Sequence, residues 1–344
     1  MSKVLVTGGC GFIGSHFIDR YLKKNPTHHV VNVDSLAYAG RIENTASFKN
    51  NERYEFIHED ICDATAMTKI FGMHEIDTVV HFAAESHVDN SIDNALPFIK
   101  TNIGGTYNLL QASKHRVDAG KFKLFLQVST DEVYGSFPFD SKLSWKENQV
   151  LAPKSPYSAS KAAAEMLVMS YYNTYDVPTI TTRCANNFGA RQHEEKLIPV
   201  VLKALINKTR IPIYGDGKNV RDWMSVKEHC DAIMFLMNHG TSGEIYNISS
   251  RREISNIDLV RQIIEIYSNL KGESSLDNLK LIEYVTDRLG HDERYSIDIS
   301  KLLALGWKAG GSGFVVNMEE VVQYYSVVFS SPKSNISPIA SSSS

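Results

Sequence analysis

Two adjacent carboxylates, Asp131 and Glu132, stand directly behind a buried-type strand, residues 125–129, that stops at Thr130. Two carboxyl groups in one pocket can divide their labour, one keeping its proton as an acid while the other stays ionised as a base. Downstream lies Tyr157-Ser-Ala-Ser-Lys161. Residues four apart share a helix face, so the lysine ammonium can lower the phenol pKa. The phenol can then take the proton from an alcohol undergoing oxidation, and Thr130 can hydrogen-bond the same hydroxyl. Tyr and Lys suffice for oxidation; the carboxylate pair adds what a loss of water requires. A Tyr-x-x-x-Lys spacing alone is equally well explained as a surface pair on a helix, so its weight depends on the elements that place it.

Those elements alternate. Val4-Leu-Val reads as a strand followed by a helix from about Phe12 to Lys24. Further strands are expected at 30–34, 54–60, 78–83, 123–129 and 179–183, with a helix running on from Tyr157. Strands alternating with helices imply βαβ units and a parallel sheet. The first strand is followed by Gly8-Gly-Cys-Gly11-Phe-Ile-Gly14, which opens the helix. Its glycines permit a tight turn and close approach of backbone to a pyrophosphate, with the helix N-terminus facing the negative charge. A plain strand-to-helix turn would also use glycine, but Asp34 ends the second strand twenty residues past Gly14. An acid there binds the adenosine ribose hydroxyls and repels a 2′-phosphate, which favours NAD over NADP. Asp60 and Ile61, read as the end of the third strand, are placed to reach the adenine; a helix cap is the simpler role for Asp60.

Composition narrows the remainder. The chain has 344 residues, 43% hydrophobic and 22% charged, enough for two lobes or one large α/β domain. A net charge of −3 gives no reason to expect nucleic acid or an anionic membrane as partner. Cys10, Cys62, Cys184 and Cys230 are far apart and form no C-x-x-C pair, which argues against a metal site or disulfide framework and for reduced, buried thiols in a cytoplasmic protein. Met1 runs straight into the first strand without room for a signal peptide, and no apolar run approaches the ~18 residues of a membrane span. Beyond about Asn186 shorter elements separated by Gly and Pro turns, such as Tyr214-Gly-Asp-Gly217, suggest a second lobe over the carboxyl ends of the strands. The Ser/Pro-rich residues 331–344 read as a disordered tail.

In this order, Gly8–Gly14, Thr130-Asp-Glu and Tyr157-x-x-x-Lys161 resemble the extended short-chain dehydrogenase/reductase superfamily. Asp34-Ser-Leu-Ala-Tyr-Ala-Gly40, His81-Phe-Ala-Ala-Glu-Ser-His-Val-Asp89, Val128-Ser-Thr-Asp-Glu-Val-Tyr-Gly135, Asn186-Asn-Phe-Gly189, Glu195-Lys-Leu-Ile-Pro199, the stretch from Tyr214 to Trp223 and Asp287-Arg-Leu-Gly-His-Asp292 narrow the resemblance to nucleotide-sugar 4,6-dehydratases. It covers residue 3 to about 328. Ala190 and Leu289 stand where that family often has proline, both in loops of the second lobe.

The resemblance implies a Rossmann-type doubly wound parallel sheet with a smaller α/β substrate-binding lobe: residues 1–185 with a return segment near 218–248 for the cofactor, and mainly 186–330 for the substrate. It implies Thr130, Asp131, Glu132, Tyr157 and Lys161 as the catalytic set. NAD would be touched by Gly8, Gly11, Phe12, Ile13, Gly14, Asp34, Asp60, Ile61, Ala83, Ala84, Thr101, Tyr157, Lys161 and Asn187. Ser86, Thr130, Asn186, Lys196, Leu197, Tyr214, Arg221, Asn256, Arg288 and His291 would hold the sugar nucleotide, and the cations Lys196, Arg221 and Arg288 could clamp a diphosphate. No metal is implied. The implied reaction is NAD-dependent dehydration of dTDP-glucose to its 4-keto-6-deoxy form, in a homodimer. The same reaction on UDP-glucose, a sugar-nucleotide 4-epimerase and a UDP-glucuronate decarboxylase remain alternatives; the last two need no carboxylate pair after Thr130.

Overall fold

Strands rich in Val, Ile and Leu are buried on both faces when helices cover both sides of a parallel sheet. This computed structural model describes residues 2–287, 291–309 and 313–330, and shows such a sheet. Its strands are β1 (Lys3–Thr7), β2 (His29–Asp34), β3 (Tyr54–His58), β4 (Thr78–His81), β5 (Leu124–Thr130), β6 (Thr179–Cys184) and β10 (Ile245–Ile248), in the order β10-β6-β5-β4-β1-β2-β3 and parallel throughout. Every residue of β4 and β5 is buried. The covering helices include α1 (Phe12–Lys24), α2 (Ala64–Met73), α5 (Thr106–Asp118), α6 (Pro156–Tyr175) and α8 (Val226–His239). Two short helices, α3 (Val88–Asp93) and α4 (Leu96–Phe98), precede α5. Phe17 and Ile18 of α1 share one apolar cluster with Cys230 and Ile233 of α8 and with β1, β5 and β6.

The strand order reverses at β1, between β2 and β4. A crevice opens at such a switch point, outside the carboxyl ends of the strands, and it is where a doubly wound sheet binds ligands. This is a Rossmann-type sheet, and its switch point places the glycine loop after β1 beside Asp34 at the end of β2 and Ala83 after β4.

The rest of the chain builds smaller sheets. β7 (Asn186–Phe188), β9 (Val220–Ser225) and β11 (Glu253–Ser255) form one; β8 (Ile211–Tyr214) and β12 (Ile282–Val285) form another. Against them pack α7 (Leu197–Asn207), α9 (Asn256–Lys271) and α12 (Phe314–Ser330), joined through Leu202, Leu205, Ile263, Ile264, Val321 and Tyr325; α10 (Ser275–Leu279) and α11 (Ser300–Ala304) are short. The expectation of short elements past Asn186 therefore needs correcting: α9 has 16 residues and α12 has 17. Leu259, Val260, Ile263, Ile264 and Tyr267 carry a helical period that buries one face of α9, and the surrounding turn residues obscured it. The Ser/Pro-rich tail lies outside the described residues. No described helix is long and apolar enough to cross a membrane.

Candidate active site

The end of β5 makes the centre of the site. Thr130 is extended (φ −141°) and caps a single 3₁₀ turn, Asp131–Tyr134, its hydroxyl accepting from the Glu132 amide at 3.2 Å. Gly135, at φ 85°, ends the turn where a side chain would strike the Ala152 carbonyl. Asp131 is thereby turned inward and buried. Burial, and next the charge of Glu132, push its carboxyl well above the ordinary 3.8, while Arg221 acts in the opposite direction. Burial and the neighbouring charge thus favour the protonated form of Asp131, the form an acid requires.

Tyr157 and Lys161 come from the first turns of α6, whose start is set by Pro156 and a reciprocal capping box between Ser155 and Ser158. Both side chains face the end of β5. Lys161 Nζ donates to the Val128 carbonyl at 2.7 Å, and burial lowers its pKa to about 8, with Glu165 working against the shift. That glutamate is itself buried and bound through Oε2 to Arg183 Nε and Nη2, at 2.9 and 2.6 Å. The Tyr157 phenol stands well above its usual range, raised by burial and then by Glu132 and Cys184, and lowered by the Thr130 hydroxyl. The expected lowering by Lys161 does not prevail in this state: burial raises the phenol most, and the lysine donates to a carbonyl instead.

A stability consequence follows for Asp131. A carboxyl whose pKa is raised on folding contributes stability that is full below its unfolded value and is lost as pH rises through the folded one. Asp131→Asn does not suffer that loss. At about pH 8 the variant is expected to melt about 2 °C or more above the parent, with the gap closing as pH falls toward about 5. Calorimetry at the two pH values checks this; a gap that widens toward acid contradicts it.

The fourteen residues read as cofactor-facing all line one cleft, which runs from the glycine loop to Tyr157 and Lys161. At Gly8 (φ 72°) an added Cβ would lie 2.7 Å from the Ala83 nitrogen, and at Gly14 it would lie 2.3 Å from the Gly8 carbonyl oxygen. No side chain caps α1, so its first amides face the cleft for an anion. Asp34 accepts from the Cys10 and Leu36 amides at 2.8 and 2.9 Å, which fixes its carboxylate at the end of β2. Strand β3 stops at His58, so Asp60 lies in the following loop, where it accepts from the Cys62 amide at 2.9 Å; the cap of α2 is Asp63. Ile61 packs on Gly105 of the π-turn that carries Thr101. Asn187 bonds the Ala185 carbonyl and His229. A glycine cradle, a bare helix N-terminus and a strand-end aspartate together fit a dinucleotide.

The residues read as substrate-facing divide. Ser86, Thr130, Asn186 and Lys196 line the same cleft; Leu197, Tyr214, Arg221, Asn256 and His291 do not. Arg288 lies outside the described residues. Arg221 is buried, donating to the carbonyls of Val220, Glu293 and Asp292 and stacking 4.3 Å from the ring centroid of Tyr295. Nη1 and Nη2 thus bond backbone carbonyls in this state. Asn256 begins α9 with a buried Oδ1 that has no hydrogen-bond partner among the described residues, which suits a ligand donor. His291 bonds Asp287 at 2.7 Å and meets Tyr214 edge-on at 6.4 Å. Tyr38, Glu85, Cys184, Gln192 and His193 also line the cleft and were not singled out from sequence. Only Tyr38 and Glu85 carried a signal, since they lie inside motifs already noted.

Comparison with known proteins places this geometry in context. The family model described as GDP-mannose 4,6 dehydratase matches residues 5–322. The low-salt glycan biosynthesis protein Agl12 of Haloferax volcanii is 45% identical over 94% of this chain and 98% of its own length. The dTDP-glucose 4,6-dehydratase 1 of Escherichia coli K12 is 44% identical over 94% and 92%. A dTDP-glucose 4,6-dehydratase of Streptomyces venezuelae, solved with NAD bound, superposes with a TM-score of 0.85 at 41% identity, covering 94% of this chain and 96% of its own.

Proposed function

The chain belongs to the nucleotide-sugar 4,6-dehydratases of the extended short-chain dehydrogenase/reductase superfamily, and on that premise we propose how its residues divide the work of dehydrating dTDP-glucose to dTDP-4-keto-6-deoxyglucose. It is an NAD-dependent hydro-lyase. The observation that carries the residue roles is the buried Asp131 beside Glu132, in one cleft with Thr130, Tyr157 and Lys161. An epimerase or a decarboxylase has no use for that pair.

In this reading Thr130 and Tyr157 hold the sugar 4-hydroxyl, and Tyr157 takes its proton. NAD, which the glycine loop, Asp34 and Lys161 would hold, would supply the acceptor for the C4 hydride and its return to C6. The 4-ketone acidifies the C5 proton, which Glu132 removes. Asp131, kept neutral by burial, gives its proton to the 6-hydroxyl, and water departs. Glu132 then returns a proton to C5. Lys161 holds the cofactor ribose, and Asp34 its adenosine ribose. Residues 1–185, with the 218–248 return segment, carry most of the cofactor site, and residues 186–330 mainly carry the sugar nucleotide.

The test is incubation of the purified protein with dTDP-glucose and with UDP-glucose. The keto sugar absorbs in base, and it is expected to form from the thymidine substrate. Product from UDP-glucose alone overturns the choice of base; product from neither overturns the reaction.

We also propose a homodimer. Helices α5 and α6 expose Tyr107, Met166, Met169 and Tyr175, apolar groups that a second copy can cover. Light scattering is expected to report roughly twice the 38.5 kDa chain mass. A monomer that stays fully active at all dilutions contradicts it.

A further inference from the structure

Three loops meet at the mouth of the cleft, and one carboxylate joins two of them. The loop after β2 brings Tyr38, the loop after β4 brings Ser86 and His87, and the loop after β7 brings His193, Glu195 and Lys196. Glu195 Oε2 lies 3.4 Å from His87 Nε2 and 3.4 Å from His193 Nδ1. Its other oxygen lies 3.4 Å from Lys196 Nζ, which donates to the Ser86 carbonyl at 3.3 Å. The third loop is joined through rings: His193 packs on Tyr38 with centroids 4.9 Å apart, and His87 meets Tyr38 edge-on at 6.2 Å. Arg41 and Glu194 add an outer tie at 3.5 Å. The Tyr38 loop needs such support, because Leu36 (φ 53°) and Tyr38 (φ 41°) both sit in the left-handed region, where non-glycine residues persist only when their surroundings hold them.

We propose that Glu195 and His193 are positioning residues that fasten these loops over the bound dinucleotide and set its rate of release. This rests on the reading of the cleft as the NAD site. The chemistry gives the fastening a purpose: NAD ends each turnover as it began, so exchange between turnovers brings nothing. At 3.4 Å the two imidazole contacts are ion-pair distances rather than good hydrogen bonds, and they strengthen when an imidazole gains a proton. His193 faces Arg41, Lys196, His87 and Tyr38 as well as Glu194 and Glu195. Burial, then Arg41 and Lys196, hold it below the usual imidazole range, so the fastening is loose near neutrality and tightens toward acid.

The experiment measures NAD release from purified holoenzyme, trapping the freed cofactor with an NAD-consuming enzyme between about pH 5 and pH 8. Release by the parent is expected to slow several-fold toward acid. Glu195→Gln is expected to release NAD about tenfold faster at about pH 6 and to lose the pH dependence, a change of the size coupled pairs show. His193→Phe keeps the ring against Tyr38 and removes the ion pair, so it is expected to flatten the profile as well. The double variant is expected to fall short of the product of the two single effects, because the Glu195–His193 contact is shared by both. Release from both single variants with the parent's rate and pH profile, or effects that multiply fully, overturns the proposal. Should Glu195→Gln fail to fold, His193→Phe decides on the same readout. A parent that binds no NAD would instead overturn the cofactor assignment of the cleft, a distinguishable result.

Discussion

Asp131→Asn combined with Glu132→Gln is expected to abolish the 6-deoxy product while leaving oxidation at C4 intact. Oxidation depends on Thr130, Tyr157, Lys161 and the cofactor, none of which is altered. Elimination requires a base for the C5 proton and an acid for the departing hydroxyl, and both are removed. The amides are close in shape to the carboxyls they replace, so the turn capped by Thr130 should survive; its stabilising bond runs from the Glu132 backbone amide, not the side chain. Each acid or base is worth about 10²–10⁴-fold, and the loss of both should put turnover below detection in an ordinary assay. In a single turnover the reduced nicotinamide should then accumulate and stay, seen as near-ultraviolet absorbance that does not decay. Near-parental turnover in the double variant would sink the acid/base assignment. Failure to form reduced cofactor would instead show that the carboxylates also support oxidation, a separable outcome because the two steps report at different wavelengths.

What the sequence disclosed and what it hid divide along local and non-local lines. Asp34, Thr130 and the glycine loop follow directly from strand ends, and strand ends are marked by runs of apolar residues in the chain itself. Lys161 follows from Tyr157 by helical period. Asp60 was placed at a strand terminus but lies two residues beyond it, because Glu59 and Asp60 continue past His58 without a turn signal. The second lobe was harder. The register of β8 pairs Ile211 with Ile282, and that of β9 pairs Val220 with Ser255; nothing near either strand announces its partner. The state of Arg221 depends on the backbone at Asp292 and Glu293 and on the ring of Tyr295, about seventy residues away. Glu165 looks like a solvent-facing acid on α6, yet its partner Arg183 lies on β6 and buries it. The loop fastening at Glu195 is of the same kind: each histidine is unremarkable alone, and only the fold sets both beside one carboxylate.

Tyr157→Phe is expected to remove the oxidation step itself, with a loss of about 10²–10⁴-fold in turnover and no reduced cofactor in a single turnover. The phenyl ring remains, so its edge contact with Phe98 and the packing of α6 are kept, and the melting temperature should barely move. The pH profile carries the finer test. Burial and Glu132 hold the phenol high in the structure described here, so the fraction able to accept a proton is small at neutrality and grows with pH. The rate of C4 oxidation should therefore rise with pH. Lys161, with its pKa lowered to about 8 by burial, is the cation available to favour the ionised phenol, and above that value it loses its charge. Removing the charge outright in Lys161→Met should move the rising limb to higher pH, because the phenolate then lacks its cation. Stopped-flow formation of reduced cofactor across pH in the parent and in Lys161→Met reads both effects, and Tyr157→Phe serves as the zero. A Lys161→Met profile that keeps the parental limb would mean that the lysine only binds the ribose and that proton removal is tuned by Thr130 and the cofactor alone.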